Sequence, residues 1–477
     1  MAMQSRIFQT FSGMRQDKND YISSPDTSPD ACNMQTPNGC LAVATGFSRV
    51  MQRTVPTTDV LKRLYVYATP AGLKYLACTD TQLVVYEPDG NFWRSLYRFS
   101  TPVGENRVEF LPVKIGSDDF LLVATGRGPL IKWDGVSHEA AAFGSAEQLS
   151  DTPVNFAASY FGRLFSSGNE QSPARLYWSK TPGGTRTIED WRADDASPDV
   201  SGGFVDVGTG SDPITGLFSL SNQLLIFKRD TLYRLLGDRP SNYRVLPVDA
   251  AFARTGHAAC AQYADRLYFL TPTGLCYFDG QTVRRPMSYR ALHRVLENCD
   301  LERCEAVNSG DMLYFAVREK TTGPYNDLLI EYDLMRDTFM LRRGFSIAGL
   351  CAARGELYLL TGIGRVEKFD DSPDYDGAPI EAWWETPRMD FGSKGVKKAL
   401  GELTCTGSGD PMQITALCDG NAFTTELAFP TDADHVAEAV LRGEGRIVRL
   451  RFSNVRGGAF TLDTGLLLRF DAIARPD

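Results

Sequence analysis

The densest chemistry in this chain is the run Asp370-Asp371-Ser372-Pro373-Asp374-Tyr375-Asp376-Gly377. Carboxylates this close together, with a glycine to turn the backbone, are the donors that a hard cation such as Ca²⁺ takes through oxygen. Asp370, Asp371, Asp374 and Asp376 are therefore the candidate metal ligands. The ligand spacing and closing Glu of a helix-loop-helix calcium site are missing, and Pro373 interrupts the run. A solvated linker between two domains is the favoured reading, and no metal is assigned.

Other residue types offer less. The four histidines, His138, His257, His293 and His435, are far apart, so a histidine metal site or triad would need partners from distant segments. Ten cysteines are scattered without a Cys-x-x-Cys pair; several, such as Cys276 and Cys351, sit within apolar stretches, as reduced buried thiols do. Gly362-Ile363-Gly364 lacks the following helix of a dinucleotide site. There is no Gly-x-Ser-x-Gly elbow, no phosphate-binding Lys loop, and no repeated Ser-x-Asp-x-Gly-x-Thr-Trp turn of a sialidase-type propeller. Trp93, Trp133, Trp178 and Trp191 are spread over different segments and are expected to pack rather than to present a sugar platform. No catalytic residue and no cofactor is assigned, and the chain is expected not to be an enzyme.

The elements that would position any site are repeated. A short apolar strand returns at Tyr75, Leu121, Phe165, Leu225, Tyr268, Tyr314 and Tyr358, at intervals of 46, 44, 60, 43, 46 and 44 residues. A period of about 40–50 residues built from strands marks a β-propeller, each repeat being one four-stranded blade. The clearest copies are Asp265 to Gly280, Gly310 to Asp333 and Arg354 to Asp370, each a turn, an aromatic strand, a second turn and a strand ending in Tyr/Phe-Asp. The stretched interval falls around Pro182 to Ser211, a Gly/Asp/Thr/Ser-rich segment expected to be a long loop on one face of the ring. One helix is expected, capped by Ser288, with Tyr289, Leu292, Val295 and Leu296 on its packed face.

The 477 residues exceed one ordinary domain. Three parts are expected: 1–58 as an N-terminal arm and ring-closing strand, 59–371 as a propeller of six to seven blades, and 372–477 as an antiparallel β-sandwich. Six strands are expected in the last part: 399–406, 412–418, 423–429, 446–453, 459–463 and 466–473. The fold class is therefore all-β. At the front, Pro25 and Pro29 forbid a helix, Asn38-Gly39 is a hairpin turn signal, and Leu41 to Val50 is expected to join the last blade. Phe8 to Ile22 is too polar to form a core alone; it reads as an arm that orders on a neighbouring subunit or as a frayed terminus. As an arm, its contact residues would be Phe8, Phe11, Tyr21 and Ile22.

No stretch approaches the roughly 18 consecutive apolar residues of a membrane helix, and Met1 to Arg6 lacks the apolar core of a signal peptide. A soluble chain not exported by that route is expected. The formal charge is −9. Tight DNA binding needs cations against phosphates, whereas an acidic wall lets DNA slide past without adhering.

Three groups of residues carry a family resemblance. They are Ser28-Pro29-Asp30-Ala31-Cys32-Asn33-Met34 with Asn38-Gly39-Cys40-Leu41 and Gly46-Phe47; the blade Asp265 to Gly280 with Asn326 to Asp333; and Trp384-Glu385-Thr386, Asp390-Phe391-Gly392 and Gly445 to Phe452. In that order they resemble the tail nozzle and packaged-DNA stabilisation proteins of short-tailed bacteriophages. The resemblance implies a structural virion protein, made in the host cytoplasm and assembled into the tail. It also implies a ring of identical subunits, expected to be a hexamer, below the portal and its adaptor. That ring would contact other tail proteins, hold the genome, then conduct the duplex without gripping it. The family supplies no catalytic residues. Two other readings stand beside it: a peripheral tail protein recognising a host glycan through the Pro182–Ser211 loop and the sandwich, and a cytoplasmic propeller scaffold that binds peptides at its channel mouth.

Overall fold

The computed structural model describes residues 4–16, 23–56, 59–144, 154–229, 231–248, 259–320, 323–430 and 436–473. Seven successive sheets follow one another along the chain, the first six each begun by four antiparallel strands paired in sequence order and the seventh by three. Their first strands are Leu61–Thr69, Glu109–Ile115, Phe156–Tyr160, Ile214–Leu220, Cys260–Tyr263, Cys299–Ser309 and Gly349–Ala353. The first and last meet directly: the Val66 amide donates to Cys351 Sγ at 3.3 Å, and a Cβ on Gly349 would stand 2.4 Å from the Leu64 nitrogen. Successive sheets joined from the last back to the first are the blades of a β-propeller. The strand-to-strand turns follow from local chemistry. At Phe161-Gly162 and Arg354-Gly355 both residues have positive φ, as a two-residue primed hairpin turn requires.

The fourth strand of the last blade comes from the other end of the chain. Phe47–Arg49 pairs antiparallel with Val366–Phe369, Phe47 opposite Phe369 and Arg49 opposite Glu367. The expected ring-closing strand is therefore only the end of 41–50; Leu41–Val43 instead pairs with Phe460–Leu462 near the C-terminus.

The N-terminal residues are not an arm. Gln4–Phe8 pairs with Leu466–Ile473, Gly13–Met14 with Thr338–Arg342 of the sixth blade, and Asp30–Cys32 with Trp383–Glu385. Phe8, Phe11 and Met14 are buried at 1%, 2% and 3% exposure. A segment too polar to build its own core has placed its few apolar side chains in a core built by others. Phe8 and Phe11 are thus enclosed within their own chain and are not surface contacts for a partner. Tyr21 and Ile22 lie outside the described residues.

Two further sheets make up the C-terminal part. Asp30–Cys32, Trp383–Glu385, Val448–Asn454, Met412–Cys418 and Asn421–Leu427 form one; Gln4–Phe8, Leu466–Ile473, Lys397–Gly409, Phe460–Leu462, Leu41–Val43 and Met34–Gln35 run through the other. Burial alternates along Met412–Cys418 and Val448–Asn454, and the inward residues Trp384, Leu403, Ile414, Phe452 and Leu468 share one core. That core continues into the fifth, sixth and seventh blades through Tyr268, Phe315, Phe339 and Leu359. The strand Val436–Val440, which pairs with Lys397–Gly409, was not anticipated.

Three local expectations are corrected. The helix is one short turn, His293–Glu297, because the Ser288 hydroxyl and amide are engaged by Asp337 rather than capping a longer one. Pro182 to Ser211 is a long irregular loop as far as Gly202, as expected, but it then forms the strand Gly203–Asp206, and the loop itself is pinned. Lys180, 6% exposed at its side chain, meets Asp190 at 3.1 Å, Asp195 at 2.9 Å and also Asp194, while buried Arg163 donates to the carbonyls of Ser179 at 2.6 Å, Ser201 at 2.8 Å and Asp199. Finally, the boundary at 371/372 cuts through the seventh blade, since Tyr375 pairs with Phe47 and stacks on its ring at 4.8 Å.

Candidate functional site at the propeller mouth

The acidic run resolves into separate structural roles. Asp376 is held by Arg49 at 2.6 Å and Arg365 at 2.7 Å; Asp370 accepts from the Ser48 hydroxyl and the Ser372 amide; Asp374 accepts from the Gly377 amide at 2.8 Å; Asp371 is exposed. Side chains spent on different partners do not converge on a cation. Among the described residues no group of three or more His, Cys, Asp or Glu side chains does. The run is a stitched edge of the seventh blade, not a solvated linker.

Behind it stands a carboxyl that sequence reasoning missed. Glu367 is 0% exposed, and neither of its carboxylate oxygens has a hydrogen-bond partner among the described residues. Burial, reinforced by Asp376, pushes it up to about 7 against the pull of Arg49 and Arg365. A carboxyl raised in the folded state gives stability that is full below its unfolded value, near 4.5, and is lost as pH climbs toward 7. Glu367→Gln is therefore expected to stabilise the chain by about 1–3 kcal/mol at pH 8 and to change little at pH 4.5. Denaturant unfolding at the two pH values checks this; an equal change at both would contradict it.

The larger concave surface lies where the inner strands begin. A cavity of about 1160 Å³ there is lined by residues of the second to sixth blades, among them Arg107, Asn155, Arg229, Asp300, Arg318 and Lys320. A smaller cavity of about 380 Å³ adjoins it through Asn106, Arg107 and Glu302 and reaches Arg63, Glu305 and Tyr325. Arg107 stands between the two. Its Nη1 donates across the channel to the Cys304 carbonyl at 2.7 Å, and its Nη2 is buried without a partner. Asn106 Nδ2 and Asn155 Oδ1 are likewise buried and unpartnered. Gly126, at φ +68°, lets the backbone pass these amides; a Cβ there would fall 1.7 Å from Asn155 Oδ1 and 2.7 Å from Asn106 Nδ2.

Below the mouth the channel is crossed by charge. Arg63 Nη1 meets Glu109 at 3.0 Å and the Val108 carbonyl at 2.7 Å, and Glu305 Oε2 accepts from the Leu350 amide at 2.7 Å. Burial raises the Glu305 carboxyl above the usual range, opposed by Arg63 and Arg107. Burial lowers Arg107, with Glu305 and Glu109 pulling the other way. Arg63 stays raised despite its burial because Glu109 and Glu305 face it. Arginine and glutamate within inner strands were the available signal, since such positions are ordinarily apolar; their convergence depends on pairing between distant blades.

On the opposite face a cleft of about 990 Å³ opens between the first two blades, floored by Tyr67, Pro112 and Trp133 and edged by Lys74, Arg94 and Asp119. Trp191 is 8% exposed and Trp133 2%, so neither ring is an open platform. All ten cysteines are free thiols, with burial raising Cys276 to about 11 and Cys304 to about 12. No helix among the described residues is long and apolar enough to cross a membrane.

No protein-family model matches the chain, and no curated protein matches it by sequence. Solved structures with a similar chain course include BamB from Moraxella catarrhalis, at 12% identity and a TM-score of 0.40 over 76% of this chain and 98% of that one. The AfRom2 CNH domain is similar at 10% identity and a TM-score of 0.43, over 68% of this chain and 99% of that one. The extracellular domain of a two-component-system protein from B. thetaiotaomicron is similar at 12% and 0.45, over 83% of this chain and 47% of that one. The propeller assignment rests on the sheet order itself, and no activity is carried across from these proteins.

Proposed function

We propose that this chain is a structural virion protein of a bacteriophage tail, a subunit of an oligomeric nozzle that retains the packaged genome and then conducts it. The observation that supports this most is where the resembling segments lie. Ser28 donates to the Glu385 carbonyl at 2.7 Å, and Trp383 Nε1 donates to Asp30 at 3.1 Å. Asn33 bonds the backbones of Arg343 and Glu381. The first and third resembling segments thus join propeller and sandwich into a single unit, as a ring subunit that withstands the pressure of a packaged genome requires. A net charge of −9 suits a conduit wall that duplex DNA passes without adhering.

The glycan-recognising alternative gains no aromatic platform from its loop, which Lys180 and Arg163 hold in place with Trp191 buried. The scaffold alternative is favoured by one observation, the wide cavity at the propeller mouth. Co-expression with the products of neighbouring genes, followed by mass photometry, separates them. A closed multimer that captures a portal-side or tail protein is expected. A chain that stays monomeric with every neighbour would reject the nozzle reading and leave the scaffold.

A further inference from the structure

We propose that the propeller mouth is a binding site for a small anion, a carboxylate- or phosphate-bearing molecule whose charged end is received by Arg107, with Arg229 as the second cation. This site is independent of the nozzle reading and would serve a free subunit or an assembled one.

A guanidinium presents five N–H groups in a fixed fork suited to two-oxygen acceptors. Arg107 uses Nη1 on the Cys304 carbonyl and leaves Nη2 buried and unpartnered at the junction of the two cavities. A charged donor removed from water without an acceptor is costly, so native proteins rarely keep one without a role. Asn106, the preceding residue, lines the same pair of cavities, and its Nδ2 is a second buried unpartnered donor.

Four of the acids nearby are already committed. Glu109 is held by Arg63 at 3.0 Å, Asp300 by Arg318, and Glu170 by Arg127 at 3.1 Å; Glu305 faces Arg63 and accepts from the Leu350 amide. Lys320 Nζ donates to the Glu297 carbonyl at 2.6 Å. Glu297 and Glu302 also line the mouth, Glu302 at the same junction as Arg107, and would limit how much negative charge the ligand brings. Arg229 is exposed on the same cavity and has no ion-pair partner among the described residues. The larger cavity is lined by as many acids as bases. Glu170 and Asp300 are paired, whereas Arg107 Nη2 and Arg229 have no acidic partner among the described residues, and it is these two unspent cations that select an anion. A volume of about 1160 Å³ is ample for a molecule of metabolite size.

Titration calorimetry on the full chain tests this, with inorganic phosphate and citrate as separate probes and chloride holding ionic strength constant. Saturable binding of at least one probe is expected, weakened about tenfold by Arg107→Gln, the effect of losing one charge-assisted hydrogen bond. Arg229→Gln, at an exposed position, is expected to weaken it severalfold and guards against a folding defect in the first variant. Binding of phosphate alone assigns a phosphate-bearing ligand, binding of citrate alone a carboxylate, and mutual competition the shared chemistry. No saturable heat with either probe, or binding that both variants retain unchanged, would overturn the proposal.

Discussion

A chain lacking residues 1–16 is expected to lose its C-terminal sandwich. The deletion removes the strand Gln4–Phe8, leaving Leu466–Ile473 with one fewer partner, and takes Phe8, Phe11 and Met14 out of the shared core. Phe11 meets Trp384 edge to face at 5.7 Å, so the fully buried indole would lose a wall of its pocket. Removing three buried side chains of this size costs on the order of 10 kcal/mol, comparable with the roughly 5–15 kcal/mol that holds a domain folded. Hydrogen exchange and limited proteolysis are expected to show residues 380–473 unprotected in the deleted chain. A soluble deletion chain with native protection there would mean that the segment is dispensable, as an arm would be.

Asn33→Ala is expected to destabilise the chain by about 3–5 kcal/mol. The residue is 3% exposed at φ +53°, a conformation asparagine tolerates and alanine does not. Its Oδ1 accepts from the Arg343 amide at 2.9 Å and the Tyr375 hydroxyl at 3.0 Å, and its Nδ2 donates to the carbonyls of Arg343 at 3.0 Å and Glu381 at 2.8 Å. Alanine would strand four polar groups at the junction of the sixth blade, the seventh blade and the sandwich. Asn33→Asp keeps the acceptor and the backbone tolerance but cannot donate, so it should fall between the two. Denaturant midpoints of the three chains give the order; equal stability of Asn33→Ala and the parent chain would contradict this role.

The repeat was legible because a blade is a local object. Its strands are neighbours in sequence, its turns demand positive φ at positions such as Gly355, and its period survives divergence of the side chains. The sandwich strands 412–418 and 466–473 were legible for the same reason, through their alternation. What failed to show was pairing across the whole chain. Nothing local in Gln4–Phe8 specifies Leu466–Ile473, and a polar segment with three well-spaced apolar residues looks identical to an unstructured one. The same holds for the site. Tryptophans and acidic runs attracted attention as residue types, yet they proved to be packed or paired. Arg107, Asn106, Asn155 and Glu367 carry no motif, and they matter because burial left their polar atoms without partners.

Cryo-electron microscopy of the purified chain with its tail-protein neighbours tests the nozzle most directly. A closed cyclic ring is expected, with an acidic lumen wide enough for duplex DNA and each subunit's residues 4–16 folded against its own sandwich and sixth blade. A stable monomer, or an oligomer whose axis is blocked or lined with basic side chains, would contradict the account.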